Sequence, residues 1–467
     1  MNQSYAEFVA GKLVRSLPVG LSVEPRDFVL FPFQRDLTAW ALRRGRAAIF
    51  AGTGLGKTRM QIEWARIVSE ETGRPVLILA PLAVAAQTVA EGRSIGVPVT
   101  LCRENREVTE GVNVTNYDRL HRFEAGIFGG IVCDESSIIK HHDAKTFSAL
   151  VEAFADTPYK LCCTATPSPN DYTELGTHAE FLGVCTRSEM LSEFFCHDGG
   201  ETQSWRLKGH ARAEFWRFVS SWGALVRSPA DLGYDDSAYK LPPLSIHHHV
   251  IPADAETVAA SGLIFAVEAK TLTERRDARR ASISARVQMC ADLVNADPKE
   301  PWLVWCDLNA ESDALSREII SAVEVRGSQT SEEKEAGLAA FSAGTMRALV
   351  SKPTICGWGL NFQHCARIAF VGVTDSWEAY FQAVRRCWRF GQKRPVEVHI
   401  FTSELEGAVV ANLARKDADA AAMADALAIE TAAIVRESIY GQERQTNSYD
   451  PTTPMFIPEW ICPEEEN

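Results

Sequence analysis

The sequence has little that would place it in a membrane, a secretory pathway or a disulfide framework. No apolar run among its 467 residues approaches the length of a membrane span. Its 12 cysteines include no Cys-x-x-Cys pair, which argues against a zinc site and favours buried thiols in a reducing compartment. The N-terminal stretch carries an early acid and no continuous apolar core, so we expect no signal peptide, no membrane partner and a cytoplasmic location.

The chain also lacks an excess of positive charge. It holds 48 lysines and arginines against 61 aspartates and glutamates, which gives a formal net charge of −13. A protein that wraps nucleic acid through a broadly basic surface is therefore disfavoured, although a local groove could still hold a phosphate backbone. Three basic clusters, at 43–46, 275–280 and 385–394, could serve such a groove or could be solvated helix faces.

What the sequence does contain is a long alternation of short apolar runs and helical stretches. Its length calls for two or three domains. In the first part we expect buried parallel strands at Ala47–Phe50, Val76–Ala80, Val112–Thr115, Ile131–Cys133 and Leu161–Thr164. Helical composition lies between them, at Arg59–Glu70, Ala83–Ala90 and Ala144–Phe154. The pattern predicts a doubly wound α/β domain over residues 25–183, with its ligand at the carboxyl ends of the strands.

A second α/β domain is predicted over residues 281–405. Its expected strands are Leu303–Cys306, Val323–Gly327, Ala348–Ser351, Ile368–Val371 and Val396–Phe401, and its expected helices are Ser312–Ala322 and Glu332–Ser342. Residues 184–280 are richer in aromatic and basic side chains, which predicts a mainly helical insertion and connector. An N-terminal segment (1–24) and a helical, acidic C-terminal tail (406–467) flank these domains.

A glycine-rich loop follows the first apolar run. The segment Ala51-Gly52-Thr53-Gly54-Leu55-Gly56-Lys57-Thr58 ends in the Gly-Lys-Thr of a P-loop, with Ala51 where the strict pattern has glycine. Its glycines allow backbone N–H groups to point at phosphates, Lys57 would neutralise the β- and γ-phosphates, and the Thr58 hydroxyl would hold Mg²⁺. The loop from Gly52 to Thr58 therefore predicts a P-loop NTPase with ATP and Mg²⁺ as cofactors.

Two acids close a later apolar run, Ile131-Val132-Cys133. A buried strand would deliver Asp134 to the metal ion and Glu135 to the attacking water, so that one carboxylate orders Mg²⁺ and the other acts as general base. Another strand ends in the hydroxyls of Thr164 and Thr166, which could sense the metal-bound carboxylates.

Far downstream, the segment from Gln382 to Gln392 presents arginines at three-residue spacing. On a helix, Arg386 and Arg389 would share one face. A P-loop alone indicates a bound nucleotide, whereas a P-loop with a remote arginine face indicates two domains that close on one nucleotide. The candidate catalytic residues are therefore Lys57, Asp134, Glu135, Arg386 and Arg389.

The order of these motifs resembles superfamily 2 helicases and, within them, the Snf2-like double-stranded DNA translocases. The resemblance runs from about Phe31 to Phe401 and implies two RecA-like domains around one ATP site. It makes Gln34 the residue that reads the adenine edge, adds Gly359 and Gln382 to the nucleotide site, and makes Arg389 the arginine finger with Arg386 in support. The other segments that carry it are Leu79–Leu82 and Thr115–Leu120, expected at the nucleic-acid backbone, and Thr164–Pro167, Asn170–Leu182, Gly357–Asn361 and Asp375–Trp377.

The sequence departs from the family pattern at three places. Ser136-Ser137 stands where the family has a small residue and histidine, and Trp388 stands where Snf2 members carry histidine. We interpret the joint loss as a rebuilt contact between these two motifs, with hydrolysis retained. Cys356 replaces a glycine before Gly357, which puts the backbone contacts of that loop in question.

The resulting hypothesis is an ATP-driven motor, a DNA-dependent ATPase or helicase, that moves along or remodels double-stranded DNA. The chain also resembles Snf2-like helicases of bacteriophages and prophages, which implies a bacterial host cytoplasm. One alternative is a helicase that separates DNA or RNA strands and so binds single-stranded nucleic acid. A second is a slowly hydrolysing, nucleotide-gated DNA clamp. We expect a monomer, with replication, recombination or nuclease proteins as candidate partners.

Other conspicuous residues favour structural roles. In His247-His248-His249, alternating strand faces would split the three side chains, and no nearby acid or cysteine completes a ligand set, so the pattern favours a structural strand. Phe215-Trp216 and Trp222 favour helix packing over base stacking. His141-His142 is predicted to lie in an exposed loop.

Overall fold

The computed structural model describes residues 20–140, 144–168, 171–197, 205–252, 279–356, 361–373, 376–404, 409, 412, 415–416 and 431–440. Within these residues the chain forms two parallel sheets, each covered by helices. Some predicted features lie outside the described residues: the start of the N-terminal segment, His141-His142, Asn170, Arg275–Ala278, Gly357–Leu360 with Gly359, Asp375 and the end of the tail.

The first sheet has seven parallel strands in the order β3-β4-β2-β5-β6-β1-β9. These strands are β1 (Arg46–Ala51), β2 (Val76–Ala80), β3 (Val99–Leu101), β4 (Val112–Asn116), β5 (Gly130–Asp134), β6 (Tyr159–Thr164) and β9 (Gly223–Val226). The helices of this part are α1 (Pro32–Arg44), α2 (Lys57–Thr72), α3 (Leu82–Ser94), α4 (Lys145–Ala153), α5 (Leu175–Leu182), α6 (Arg187–Phe194) and α7 (Arg212–Trp222). All five predicted strands are present, because helices bury both faces of a parallel sheet and leave continuous apolar runs in the sequence.

The strand order decides where the functional loops meet. Strands β5, β6 and β1 are neighbours in the first sheet. Because they run parallel, the P-loop after β1, the acids at the end of β5 and the hydroxyls at the end of β6 all emerge at one edge. This is the edge at which α/β domains bind their ligands.

The second sheet has six parallel strands in the order β10-β15-β14-β11-β13-β12. They are β10 (Leu244–Ile251), β11 (Trp302–Cys306), β12 (Ala322–Val325), β13 (Ala348–Ser351), β14 (Arg367–Val371) and β15 (Val396–Ser403). Its helices are α8 (Ile283–Ala296), α9 (Asn309–Glu318), α10 (Ser331–Ser342), α11 (Pro353–Cys356) and α12 (Trp377–Val384). The predicted fold class, two doubly wound parallel-sheet domains, is therefore confirmed.

The described parts of the region predicted as an insertion and connector, 184–197, 205–252 and 279–280, are more closely built into the two domains than expected. Strand β9 forms the outer edge of the first sheet, and β10 forms the outer edge of the second. Two further short strands, β7 (Phe195–His197) and β8 (Trp205–Leu207), pair antiparallel with each other. Strands that are only three or four residues long, such as β7, β8 and β9, or of mixed polarity, such as β10, give too weak a periodic signal to be assigned from sequence.

The helix at 431–440, within the predicted tail, packs on the first domain. Trp40 Nε1 and Arg44 Nη2 bind the Ser438 hydroxyl at 2.9 and 3.0 Å, and Arg43 Nη2 donates to the Ile439 carbonyl at 3.1 Å. Arg46 donates to the carbonyls of residues 157 and 158. The arginines of the cluster 43–46 therefore hold the chain together internally.

The aromatic residues of α7 are part of the core, as predicted. Phe215, Trp216 and Trp222 are buried and pack with the helices beside the first sheet. Within the described residues, none of the helices combines the length and the apolar character that crossing a membrane would require.

Candidate nucleotide site between the two domains

The P-loop adopts backbone angles that glycine permits. Gly54 has a φ of 88° and Gly56 a φ of 77°, both in the left-handed region. A Cβ atom at Gly56 would overlap the amide of Gln34, and one at Gly54 would lie 2.7 Å from the Cβ atom of Phe390. The two glycines thus allow the loop to turn into α2 while two other segments press closely against it.

Lys57 begins α2 with its ammonium folded over the loop. Its Nζ atom donates to the carbonyls of Ala51 at 2.9 Å and Gly52 at 3.3 Å. Burial lowers the pKa of Lys57, and Arg389 lowers it further, whereas Glu135 and Asp134 act in the opposite direction. The ammonium therefore lies within electrostatic reach of both predicted acids and of an arginine from the second domain.

Asp134 ends β5 as a buried carboxylate. Its Oδ1 atom accepts hydrogen bonds from Gln61 Nε2 at 2.7 Å and from the Glu135 backbone N–H at 3.0 Å. The Tyr117 hydroxyl donates to the Asp134 carbonyl at 2.7 Å. Burial, followed by the neighbouring Glu135, raises the pKa of Asp134 to about 6, while Gln61 and Lys57 oppose this rise. A buried carboxylate beside a second acid is a favourable place for a divalent cation.

Glu135 has a strained backbone conformation. Its φ of 49° and ψ of 52° lie in the left-handed region, which residues with a side chain seldom occupy. Its Oε2 atom is buried and makes no hydrogen bond to the described residues. A buried carboxylate oxygen that has no protein partner can accept a proton from water or help hold a hydrated metal ion, so this residue fits the predicted role of general base.

The two candidate arginines follow α12 in a series of tight turns. The prediction that they share one face of a helix is wrong, because α12 ends at Val384 and irregular turns follow it. The N–H of Cys387 bonds to the carbonyl of Val384, three residues back, and that of Arg389 bonds to the carbonyl of Cys387, two residues back. Arg386 is buried and held by Gln382, whose carbonyl accepts from Nε at 2.9 Å and whose Oε1 accepts from Nη2 at 2.8 Å. Gln382 thus positions Arg386.

All five candidate catalytic residues and Thr58 line one cavity between the domains. The lining residues are Thr53, Gly54, Gly56, Lys57, Thr58, Val84, Gln87, Asp134, Glu135, Arg386 and Arg389. Burial lowers the pKa of Arg386 and of Arg389 to about 10; Arg389 adds to the effect on Arg386, and Glu135 opposes both shifts. Three cations thus converge on two carboxylates, and a polyphosphate with a divalent cation would balance both sets of charges.

Three interdomain contacts beside this cavity escaped the sequence analysis. Lys140, just beyond the acids of the first domain, forms an ion pair with Glu378 of α12, and the two side chains are only 14% and 15% exposed. Phe390, the residue after Arg389, packs against Gly54 of the P-loop. Tyr239 stacks on Phe390 with ring centroids 4.7 Å apart. The contacts on Phe390 fix the neighbouring Arg389 at the P-loop.

Of three further residues predicted to contact the nucleotide, Gln34, Gln382 and Gly359, the two that the structure describes do not line the cavity. Gln34 is buried; its Oε1 accepts from the Phe31 N–H and its Nε2 donates to the Leu55 carbonyl, both at 2.9 Å. It therefore supports the P-loop, and its contact with adenine stays a prediction. Gln382 lies behind Arg386 and does not line the cavity. Gly359 lies outside the described residues.

Two of the residues that depart from the family pattern, Ser136 and Trp388, make hydrogen-bond contacts within the described residues. The Ser136 hydroxyl lies 3.0 Å from His178 Nε2, and burial lowers the pKa of His178 to about 4, so this imidazole is neutral at neutral pH. Trp388 Nε1 donates to the Pro242 carbonyl at 2.7 Å. Ser136, at the small-residue position, thus contacts its own domain, whereas the hydroxyl of Ser137, at the replaced histidine position, is buried without a hydrogen bond to the described residues. Trp388 contacts the connector, and the Lys140–Glu378 pair joins the two domains nearby.

Of the two hydroxyls predicted to couple hydrolysis to movement, that of Thr164 contacts the backbone of Thr166, and that of Thr166 is buried without a hydrogen bond to the described residues. Thr164 is buried at the end of β6, and its Oγ1 atom accepts from the Thr166 N–H at 3.2 Å. The contact fixes the turn that follows β6. A role in sensing the metal-bound carboxylates stays a prediction.

Comparison with known proteins gives one match to a family and several relatives. Residues 285–391 match the family described as helicase conserved C-terminal domain. A bovine (Bos taurus) SWI/SNF-related matrix-associated actin-dependent regulator of chromatin subfamily A-like protein 1 is 22% identical over 79% of the chain and 42% of that protein. The pre-mRNA-splicing ATP-dependent RNA helicase prp28 of Neosartorya fischeri is 28% identical over 27% of the chain and 16% of that protein.

A solved structure, the Sulfolobus solfataricus SWI2/SNF2 ATPase core in complex with dsDNA, aligns with 90% of the chain at 18% identity and a TM-score of 0.42, covering 99% of that chain. The chain spans less than half the length of the curated relatives it matches. The matched residues 285–391 run from α8 through the arginine turn, so the helicase-like segment includes Arg386 and Arg389. By the family match and the curated relatives, the chain is similar to helicases and, over most of its length, to a SWI/SNF-related protein.

Proposed function

We propose that this protein is an ATP-driven motor that translocates on, or remodels, double-stranded DNA. The observation that carries the proposal is the cavity shared by the two domains. The first domain contributes Lys57, Asp134 and Glu135, and the second contributes Arg386 and Arg389. A site divided in this way is complete only when the domains are closed, so nucleotide binding and release would be coupled to domain movement.

The residues present fit ATP with Mg²⁺. Lys57, Arg386 and Arg389 would balance the charge of the phosphates, and Thr58 and Asp134 would hold the ion. When bound, Mg²⁺ would supply positive charge that offsets the charge of the phosphates. Glu135 would accept the proton of the attacking water through its buried, unbonded Oε2 atom. Arg389, packed against the P-loop through Phe390, would stabilise the charge that develops on the transferred phosphoryl group.

DNA as the track is supported by the similarity, along most of the chain, to a protein named as a SWI/SNF-related regulator of chromatin. That this DNA is double-stranded is what the motif resemblance suggests. The loops after β2 and β4, predicted to contact the nucleic-acid backbone, follow strands that are neighbours in the sheet, so they lie at one edge. The cluster at 43–46 is engaged internally. Because the net charge is −13, we expect a local groove whose binding weakens as salt concentration rises.

The proposal also covers the cellular location, the oligomeric state and the protein partners of the motor. A cytoplasmic monomer encoded by a bacteriophage or prophage is the setting that the motif resemblance suggests. A replication, recombination or nuclease protein would supply activities that this motor lacks.

The decisive experiment is the rate of ATP hydrolysis by the full chain against a panel of nucleic acids. We expect duplex DNA to stimulate hydrolysis more than single-stranded DNA or RNA does. Lys57→Ala, which removes the main phosphate cation, is the negative control and should be nearly inactive on every substrate. Equal stimulation by all three nucleic acids would refute the assignment of duplex DNA.

A second assay separates translocation from strand separation. A labelled strand annealed to a tailed duplex should stay paired during ATP hydrolysis by a translocase. Release of that strand at a rate that depends on ATP and on Lys57 would favour the strand-separating alternative.

A further inference from the structure

A cluster of histidines and one acid lies on the second domain and shares no residue with the nucleotide cavity. It is built on the parallel pair β10 and β15, in which His247 pairs with His399 and Ser245 pairs with Glu397. Because side chains alternate along a strand, His247 and His249 lie on one face together with Glu397 and His399. His248 lies on the opposite face and is exposed.

This arrangement corrects the interpretation made from the sequence. The three consecutive histidines do form a strand, as predicted, but the ligand set is not missing. Glu397 lies 150 residues downstream of His247, and His399 lies 150 residues downstream of His249; the two pairs meet only through the pairing of β10 with β15. No local pattern around His247 could have predicted these neighbours.

The side-chain atoms already lie close to metal-binding distances. One nitrogen each of His247 and His399 and one carboxylate oxygen of Glu397 all lie within 4.8 Å of one another. His399 Nε2 is 3.7 Å from Glu397 Oε2. Ligand atoms around a tetrahedral ion with bonds of about 2.0–2.1 Å are roughly 3.4 Å apart. Side-chain rotations that move the atoms by about 1 Å would therefore close the set.

The surrounding residues hold this geometry. The rings of His247 and His399 stack with centroids 4.7 Å apart, and His249 Nε2 lies 3.0 Å from His399 Nδ1. This contact leaves Nε2 of His399 directed toward Glu397.

One neighbour competes with a metal ion. Arg367 forms an ion pair with Glu397, and its side chain is 27% exposed. A cation at the cluster would share the carboxylate with this guanidinium or displace it toward solvent. The competition limits the affinity, but it leaves both imidazole ligands unchanged.

We propose that His247, Glu397 and His399 bind a divalent transition-metal ion of the Zn²⁺ type, with His249 orienting His399. Two imidazoles and one carboxylate are a ligand set that suits Zn²⁺, whereas Mg²⁺ prefers oxygen ligands alone. The ion would link β10 to β15. β10 is the strand that enters the second domain from the connector. The proposal is independent of the motor function, because none of its ligands lines the nucleotide cavity.

The test is titration of the full chain with ZnCl₂ by calorimetry, in a non-chelating buffer with excess Mg²⁺. We expect one Zn²⁺ per wild-type chain at this site, and a melting temperature that rises with Zn²⁺. His247→Ala removes an exposed ligand and should weaken binding at least about tenfold. His248→Ala, the matched control on the opposite face, should bind like the wild type. Co²⁺ should give a visible absorption band with the wild type and with His248→Ala only.

The two variants distinguish Zn²⁺ bound at this site from Zn²⁺ bound at thiols and imidazoles elsewhere in the chain. Zn²⁺ that binds elsewhere, for example at cysteines, would bind equally to His247→Ala and His248→Ala. Equal affinity of these two variants, or no binding by the wild type, would overturn the proposal. His247 and His248 are both exposed on one strand. Circular dichroism of both variants checks that each keeps the fold, so that a difference in affinity reports the lost ligand.

Discussion

The substitution Asp134→Asn should make the nucleotide-free, metal-free protein more stable at pH 8 while it abolishes Mg²⁺-dependent hydrolysis. Asp134 is buried beside Glu135, and these surroundings raise its pKa to about 6. A folded state that raises the pKa of a carboxyl group is penalised wherever that group must be ionised. The amide of asparagine carries no charge and can still accept the hydrogen bond of Gln61.

The size of this effect follows from the pKa of the carboxyl group. A rise from the ordinary 3.8 to about 6 corresponds to roughly 3 kcal/mol, at about 1.4 kcal/mol per pKa unit. The penalty is absent well below pH 3.8, grows as the pH rises toward 6, and is complete above it. The stability gained by the asparagine should therefore be largest at pH 8, about half as large at pH 5 and close to zero at pH 3.

Glu63→Gln is the matched control with the opposite sign. Glu63 lies on α2 of the same domain, and hydrogen bonds from Arg66 and Arg26 outweigh its burial and lower its pKa to about 2. A carboxyl group with a lowered pKa contributes stability above its ordinary pKa of 4.5 and loses it as the pH falls through the folded value. Glu63→Gln should therefore destabilise the protein at both pH 8 and pH 5.

The assay is thermal unfolding of wild type and both variants at pH 8 and pH 5, without nucleotide or Mg²⁺. Asp134→Asn should melt several degrees above the wild type at pH 8, with a smaller difference at pH 5. Glu63→Gln should melt below the wild type at both values. The reasoning is refuted if Asp134→Asn melts at or below the wild-type temperature at pH 8, or if its gain does not depend on pH.

Further substitutions test the interdomain site at Glu135, at Arg389 and at the Lys140–Glu378 ion pair. Glu135→Gln should bind ATP but not turn it over, because the amide cannot accept a proton; loss of ATP binding in a filter assay would instead assign Glu135 a structural role. Arg389→Ala should leave nucleotide affinity nearly unchanged and lower DNA-stimulated turnover about 10³–10⁵-fold. Arg389→Lys should restore little of this turnover. Turnover near the wild-type rate in either variant would show that the two domains do not share one active site. Lys140→Glu and Glu378→Lys should each reduce ATP turnover, and the double variant that carries both changes should recover part of it. If the two reductions in turnover simply add in the double variant, the ion pair does not support closure of the domains.

The sequence predicted those features that depend on local order along the chain. The strand that precedes Gly52 and the strand that ends at Asp134 are continuous apolar runs, because both faces of the sheet are covered. Parallel strands place their carboxyl ends at one edge, so the relation of Lys57 to Asp134 and Glu135 followed from the expected topology. The structure places these residues around one cavity.

Features that depend on pairing between distant segments were not predictable. Strand β9 is four residues long and follows α7 without a break, so its apolar residues extend the pattern of that helix. The Lys140–Glu378 pair joins residues 238 positions apart, and the histidine cluster joins β10 to β15. The helical spacing of Arg386 and Arg389 was misleading, because α12 ends two residues before Arg386.

The charges in the cavity explain why closure should be temporary. Arg389 lowers the pKa of both Lys57 and Arg386, which means that these cations repel one another when the domains meet. Glu135 attracts all three but carries a single charge. A bound triphosphate would add enough negative charge to hold the domains together, and departure of the γ-phosphate would leave the cations under-compensated. The same residues that stabilise the transferring phosphate would then favour reopening, which a two-domain motor needs in every cycle.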